Sequence, residues 1–119
     1  MVHRFQLSCR TTGGTDILDL TREVAAEVAN SGIMDGALLL FVPGSTAALS
    51  TIEFEPGVVQ DLKEAIERIA PSTIPYEHDQ AWGDGNGHAH VRAALLKPDL
   101  TVPVEHGQLA LGTWQQIVL

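Results

Sequence analysis

Residues 2–10 alternate along the chain, with Val2, Arg4, Gln6, Ser8 and Arg10 on one side and His3, Phe5, Leu7 and Cys9 on the other. This period of two predicts a half-buried strand, ended by Thr11-Thr12-Gly13-Gly14. The period then changes. Ile17, Leu20, Val24 and Val28 recur at helical spacing, while Asp19, Glu23 and Glu27 take another face. Thr15 or Asp16 is placed to cap this helix, and Asn30-Ser31-Gly32 supplies its stop. Gly36 to Val42 is a continuous apolar run before Pro43, which predicts a central strand buried on both faces. Ser45 to Ile52 predicts a second extended piece. After the turn at Glu55-Pro56-Gly57, a second helix carries Val58, Leu62, Ala65, Ile66 and Ile69 on one stripe and ends at Pro71.

Pro75 to Gly87 has no apolar period and holds Asp79, Asp84, Asn86 and three glycines. A loop this polar lies on the surface and often carries function. Strands resume over His90–Leu96, Thr101–Val104 and Thr113–Leu119, separated by turns at Lys97-Pro98-Asp99 and Glu105-His106-Gly107. Two helices among groups of strands predict an α+β fold, one domain over residues 1–119, with the helices covering a mainly antiparallel sheet or sandwich. The chain closes inside the apolar run Ile117-Val118-Leu119, so a further strand is expected beyond it.

Composition narrows the functional classes. At 119 residues, 45% apolar and 18% charged, the chain has room for one core and too little charge for disorder. Lys plus Arg total 7 against 15 Asp plus Glu, a formal charge of −8 with no cationic cluster. A nucleic-acid partner is therefore not expected, because binding needs cations to displace phosphate counterions; an anionic membrane surface is disfavoured for the same reason. Cys9 is the only cysteine, so no internal disulfide can form. The first residues lack the basic and apolar segments of a secretory leader, and the longest apolar run is too short to span a bilayer. The expected location is the cytoplasm.

The sharpest chemical signal is Gly83-Asp-Gly-Asn-Gly-His-Ala-His90. With His88 opening a strand, His88 and His90 project to one face, and the loop can bring His78 to them. Three neutral imidazoles with an open position describe a catalytic zinc site, and other divalent metals accept similar ligands. Asp79 and Asp84 could orient the imidazoles. His-x-His alone is a weak motif, and hydrogen-bonded histidines lining a polar groove would leave the same trace.

Glu53 and Glu55 are candidate bases that would need raised pKa values, and solvated loop carboxylates explain them equally well. Gly44-Ser45-Thr46 offers hydroxyls and a backbone N–H to an anion, or simply turns the chain. It has neither a P-loop ending nor a nucleophile elbow. Arg92 shares the face of His90 on the predicted strand, where it would receive a phosphate or pair with a nearby acid. Trp82 opens the polar loop and suits stacking on a ring-shaped ligand, with Asn86 as a further substrate contact. Trp114 suits the core or a subunit interface better.

Several segments together resemble the YjbQ family of secondary thiamine-phosphate synthase-like proteins. They are Phe41-Val-Pro-Gly-Ser-Thr-Ala-Ala-Leu49, Thr51-Ile-Glu-Phe-Glu-Pro-Gly57 and Tyr76-Glu-His78, then Gly85-Asn-Gly-His-Ala-His-Val-Arg92, Val102-Pro-Val104 and Gly107 to Gln115. They run in family order over nearly the whole chain, and Leu111-Gly-Thr-Trp-Gln115 is the most distinctive. The resemblance implies an α+β fold assembled as a homotrimer, with sites at or near subunit boundaries. It also implies transfer of a hydroxymethylpyrimidine from its diphosphate to a thiazole phosphate, with release of pyrophosphate. The functional residues it carries over are His78, His88, His90 and Arg92, with Glu53 as a fifth. Two departures stand out: Gly44 occupies a position where many members have His, and members usually continue past Gln115 into a strand with an acidic residue and arginines.

The leading expectation is thus a transferase acting on phosphorylated small molecules. Arg92 and Glu53 would be catalytic, and Ser45, Thr46, Trp82 and Asn86 would bind substrate. His78, His88 and His90 would hold zinc, with Mg²⁺ the alternative beside a diphosphate. Two other classes remain open: a metal-dependent phosphoester hydrolase with Glu53 as base, and a non-catalytic trimer that binds metal or a small ligand.

Overall fold

The computed structural model describes residues 1–119. In chain order the elements are α1 (Thr21–Ser31), β1 (Gly36–Phe41), β2 (Ser50–Glu53), α2 (Pro56–Ile69), α3 (Glu77–Trp82), α4 (Gly87–Leu96), β3 (Asp99–Glu105), β4 (Gln108–Leu109) and β5 (Gln115–Val118). The fold is α+β and every strand pair is antiparallel. One sheet has the order β1-β3-β4, and β2 pairs with β5 in the other.

The core lies where the two sheets and α1 meet, with Val24, Val28, Leu38, Leu40, Val102 and Ile117 among its buried members. Alternation along β1 turns Leu38 and Leu40 inward and leaves Leu39 66% and Phe41 62% exposed. The expectation of a central strand buried on both faces is therefore corrected: β1 is an edge strand with one buried face. β3 and β4 are joined at His106 and Gly107, both with positive φ (53° and 75°), as a tight two-residue hairpin requires.

α1 begins later than the apolar spacing predicts. The Leu18 N–H donates to Leu119 O and the Leu20 N–H to Ile117 O, both at 2.8 Å, so residues 18–20 extend the β2–β5 sheet. Neither Thr15 nor Asp16 caps the helix. The N-cap position is Leu20, which has no side-chain cap, and the Asp19 carboxylate before it accepts from the Thr21 N–H and hydroxyl. Gly32, with φ 69°, ends α1 as expected. α2 starts and stops where the sequence indicates, and its first N–H groups are satisfied by the Glu55 side chain at 2.8 and 2.9 Å.

Three further expectations are corrected. Residues 2–10 form no strand: Phe5 and Leu7 pack on the core, as the alternation implies, but no neighbouring strand accepts their backbone. Part of the polar loop is helical, as α3. The segment expected to be a strand over His90–Leu96 is α4, so there are four helices rather than two.

Candidate functional site

α3 and α4 meet at a tight crossing that fixes the histidines. The Gly87 N–H, at the start of α4, donates to Asp79 Oδ1 at 2.8 Å. A Cβ on Gly87 would lie 2.6 Å from Tyr76 Cβ and 3.1 Å from Asp79 Oδ1, closer than packed atoms tolerate. Gly87→Ala is therefore expected to destabilise the domain by about 1–3 kcal/mol, the usual cost of overpacking. A denaturant midpoint equal to that of wild type would show that the crossing can relax.

The helical geometry of α4 separates two histidines that a strand would have aligned. Residues two apart on a helix point about 200° apart. His90 faces His78, with ring centroids 4.4 Å apart, whereas His88 lies on the other side near Tyr76, at 6.2 Å. His78 Nε2 is 3.6 Å from Asp84 Oδ1, buried and without a hydrogen bond. The predicted three-imidazole centre does not converge, and no group of three or more His, Cys, Asp or Glu is arranged to hold a metal ion. The residues present thus do not fit the expected zinc site.

His88 instead opens onto a cleft of about 430 Å³. α2 contributes Leu62 and Ile66 to its wall, α4 contributes His88, Ala89, Arg92 and Leu96, and the end of β5 contributes Val118. The remaining wall comes from Thr11, residues 13–17 and 46–50, Asn86, Ala93 and Leu119. Four predicted site residues converge there: Thr46, Asn86, His88 and Arg92. The other five do not line it. Ser45 and Glu53 are exposed, His78 and His90 pack on each other, and Trp82 is 76% exposed at the end of α3. Trp114 is 72% exposed and outside the core.

Arg92 is held from three sides. Its Nε–H donates to Ala70 O at 2.9 Å, Nη1 to Thr15 Oγ1 at 2.7 Å, and Nη2 to Glu67 Oε2 at 2.6 Å. Only 11% of the side chain is exposed. Glu67 also accepts from the N–H and hydroxyl of Ser72, and these bonds, with Arg92, hold its carboxyl below the ordinary carboxylate range. Glu55 is lowered likewise by the N–H groups of Gly57 and Val58. Neither acid has the raised pKa a general base requires.

Sequence reasoning missed one wall of the cleft. Gly13, Gly14 and Thr15 have φ values of 77°, 64° and 66°, three successive left-handed residues. The last is β-branched, for which that region is a genuine outlier. The Thr15 hydroxyl is fixed by Arg92, and Asp16 Oδ2 accepts from the Thr12 N–H at 3.0 Å. The Gly-Gly pair was the available signal, but it reads equally well as the end of a strand.

Comparison with known proteins places this arrangement. A family model described as UPF0047 protein YjbQ-like matches residues 5–119. A UPF0047 protein of Archaeoglobus fulgidus is 39% identical over 113 residues, covering 95% of this chain and 86% of its own length. The UPF0047 protein YugU of Bacillus subtilis is 34% identical over 113 residues, covering 93% and 83%. Among solved structures, a YbjQ-like protein of unknown function from Sulfolobus solfataricus superposes with a TM-score of 0.83 at 36% identity, over 87% of this chain and 73% of that one. A yjbq/upf0047 family protein from Clostridium acetobutylicum gives 0.84 at 32%, over 92% and 83%. With the matched model spanning nearly the whole chain, and these sequences and folds agreeing with it, the protein belongs to the YjbQ-like UPF0047 family.

Proposed function

We propose that the cleft binds a ring-bearing small molecule and that the protein is a transferase of the thiamine-phosphate-synthase kind. The observation that carries this reading is the meeting of Thr46, Asn86, His88 and Arg92 on a largely apolar wall. Its volume of about 430 Å³ lies within the range of small-molecule sites. In the reaction, the C–O bond between the pyrimidine methylene and the diphosphate breaks, and its electron pair leaves with pyrophosphate. The thiazole nitrogen lone pair then forms the new C–N bond. The apolar wall shields the pyrimidine ring from water. The Thr46 hydroxyl, the His88 imidazole and the two N–H groups of Arg92 not engaged by Ala70, Thr15 and Glu67 hydrogen-bond the departing diphosphate. In a chain of charge −8, a diphosphate arrives with a divalent counter-ion such as Mg²⁺, so metal dependence enters with the substrate.

A second reading, a binding protein without turnover, draws support from the Arg92–Glu67 pair at 2.6 Å, which offsets the one cation of the cleft. The two separate in one assay of pyrophosphate release from a pyrimidinylmethyl diphosphate and a thiazole phosphate. Release that requires both compounds supports the transferase. Calorimetric binding of the pyrimidine without release supports the binding protein.

We propose further that the protein acts as a homotrimer. The chain exposes 8014 Å², whereas a folded monomer of its mass exposes about 6,300 Å². Its radius of gyration is 16.0 Å, against about 13.5 Å for a compact domain of this length. The extended residues 1–12 contribute to both, and large apolar side chains such as Leu39, Phe41 and Ile69 stand exposed. A stable interface of standard size buries about 800 Å² per partner, and the excess surface supports burial of part of it against other copies.

A further inference from the structure

Asn86 stands at the N-cap of α4, where an asparagine side chain ordinarily accepts a backbone N–H of the first turn. Here it does not. Its main-chain oxygen accepts from the Ala89 and His90 N–H groups at 3.0 and 3.3 Å, and the Gly87 N–H goes to Asp79. The Asn86 side chain makes no cap bond, and its Oδ1 is buried without a hydrogen-bond partner. Buried polar atoms are nearly always paired, because an unpaired one forfeits water and gains nothing in return. Two side-chain atoms break this rule, His78 Nε2 and Asn86 Oδ1, and of the two residues only Asn86 lines the cleft.

We infer that Asn86 determines which ring the cleft accepts, by pairing with an amino group that stands next to a ring nitrogen. This rests on the reading of the cleft as a ring-binding site. A primary amide presents an acceptor and two donors side by side. Its complement is an N–H donor adjacent to an unprotonated ring nitrogen, the pattern through which asparagine holds adenine by two parallel bonds. An aminopyrimidine carries that pattern on one edge. Oδ1 accepts from the amino group and Nδ2 donates to the ring nitrogen, and a turn about the soft last torsion of the side chain brings both atoms to the cleft. The faces of the ring then rest against Leu49, Leu62 and Ile66. A ring that lacks the amino group fills the same space but leaves Oδ1 unpaired. Sites built around a hydrogen bond reject such analogues strongly.

The test compares two pyrimidinylmethyl diphosphates, titrated with Mg²⁺ present, that differ at one carbon next to a ring nitrogen. One carries an amino group there and the other a methyl group, which matches it in size and offers no donor. Calorimetry of wild type should show the amino compound bound about ten- to hundredfold more tightly. Asn86→Leu keeps the bulk of the side chain and removes both polar atoms. It should bind the two compounds with equal, weak affinity, so that the preference disappears. Equal binding of the two by wild type, or tighter binding of the methyl compound, overturns the assignment and leaves the ring-binding cleft standing. So does a preference that survives in Asn86→Leu. Binding of neither compound by wild type overturns both. Should Asn86→Leu fail to fold, Asn86→Ala puts the same question.

Discussion

Ile117→Ala is expected to cost about 4 kcal/mol of stability, within the usual range for truncating a buried isoleucine. Ile117 is fully buried in the core cluster, and three elements meet on its backbone. It faces Thr51 across the β2–β5 ladder, its N–H donates to Thr21 Oγ1 at 2.8 Å, and its carbonyl accepts from the Leu20 N–H. Backbone anchored to two neighbours cannot collapse into the vacated space, so the loss should exceed the transfer term alone. In a domain of this size the melting temperature should fall by roughly 15 °C. Equilibrium denaturation gives the value directly. A loss below about 1 kcal/mol would mean that the site repacks freely.

Arg92→Met is the second large effect, expected at about 2–3 kcal/mol. Methionine keeps the aliphatic stem and removes every donor. Ala70 O, on a residue only 2% exposed, then loses its side-chain partner, although the Ile66-to-Ala70 helical turn remains. The Thr15 hydroxyl, on a residue with left-handed backbone, loses its donor. The acid side adds a signature. Because the folded pKa of Glu67 is lowered, its contribution is fully present above the ordinary carboxylate range and is lost as pH falls through the folded value. Arg92→Met removes one of the causes of that lowering. The stability gap between wild type and variant should therefore narrow as pH drops below the carboxylate range. A gap independent of pH would assign the loss to packing alone.

Much of the fold was legible where one physical signal dominated. The Thr101–Val104 strand, the Gly32 stop, the α2 stripe that ends before Pro71 and the final strand all appear where pattern and turn chemistry agree. Reading failed where tertiary pairing overrode local preference. Ile17 and Leu20 fit a helical stripe, but the backbone of residues 18–20 is claimed by β5. The largest miss was α4. Ala89, Ala93, Ala94, Leu95 and Leu96 are strong helix formers and only Val91 is β-branched, so propensity indicated a helix. The turn-like Gly/Asp run before it suggested a strand instead. That one choice governed the site. On a strand His88, His90 and Arg92 would share a face; on a helix His90 turns to His78 while His88 reaches the cleft. Of the two roles weighed for Arg92, pairing with a nearby acid is the contact observed, with Glu67.

The division between His88 and His90 also gives the most direct test of the cleft as the functional site. Pyrophosphate release from the pyrimidine diphosphate and thiazole phosphate pair would be compared for wild type, His88→Ala and His90→Ala. The cleft reading predicts a loss of about ten- to hundredfold for His88→Ala, the worth of one hydrogen bond to a charged group. It predicts a wild-type rate for His90→Ala. Equal losses in both variants, or a loss confined to His90→Ala, would contradict it and return the chemistry to the His78–His90 pair.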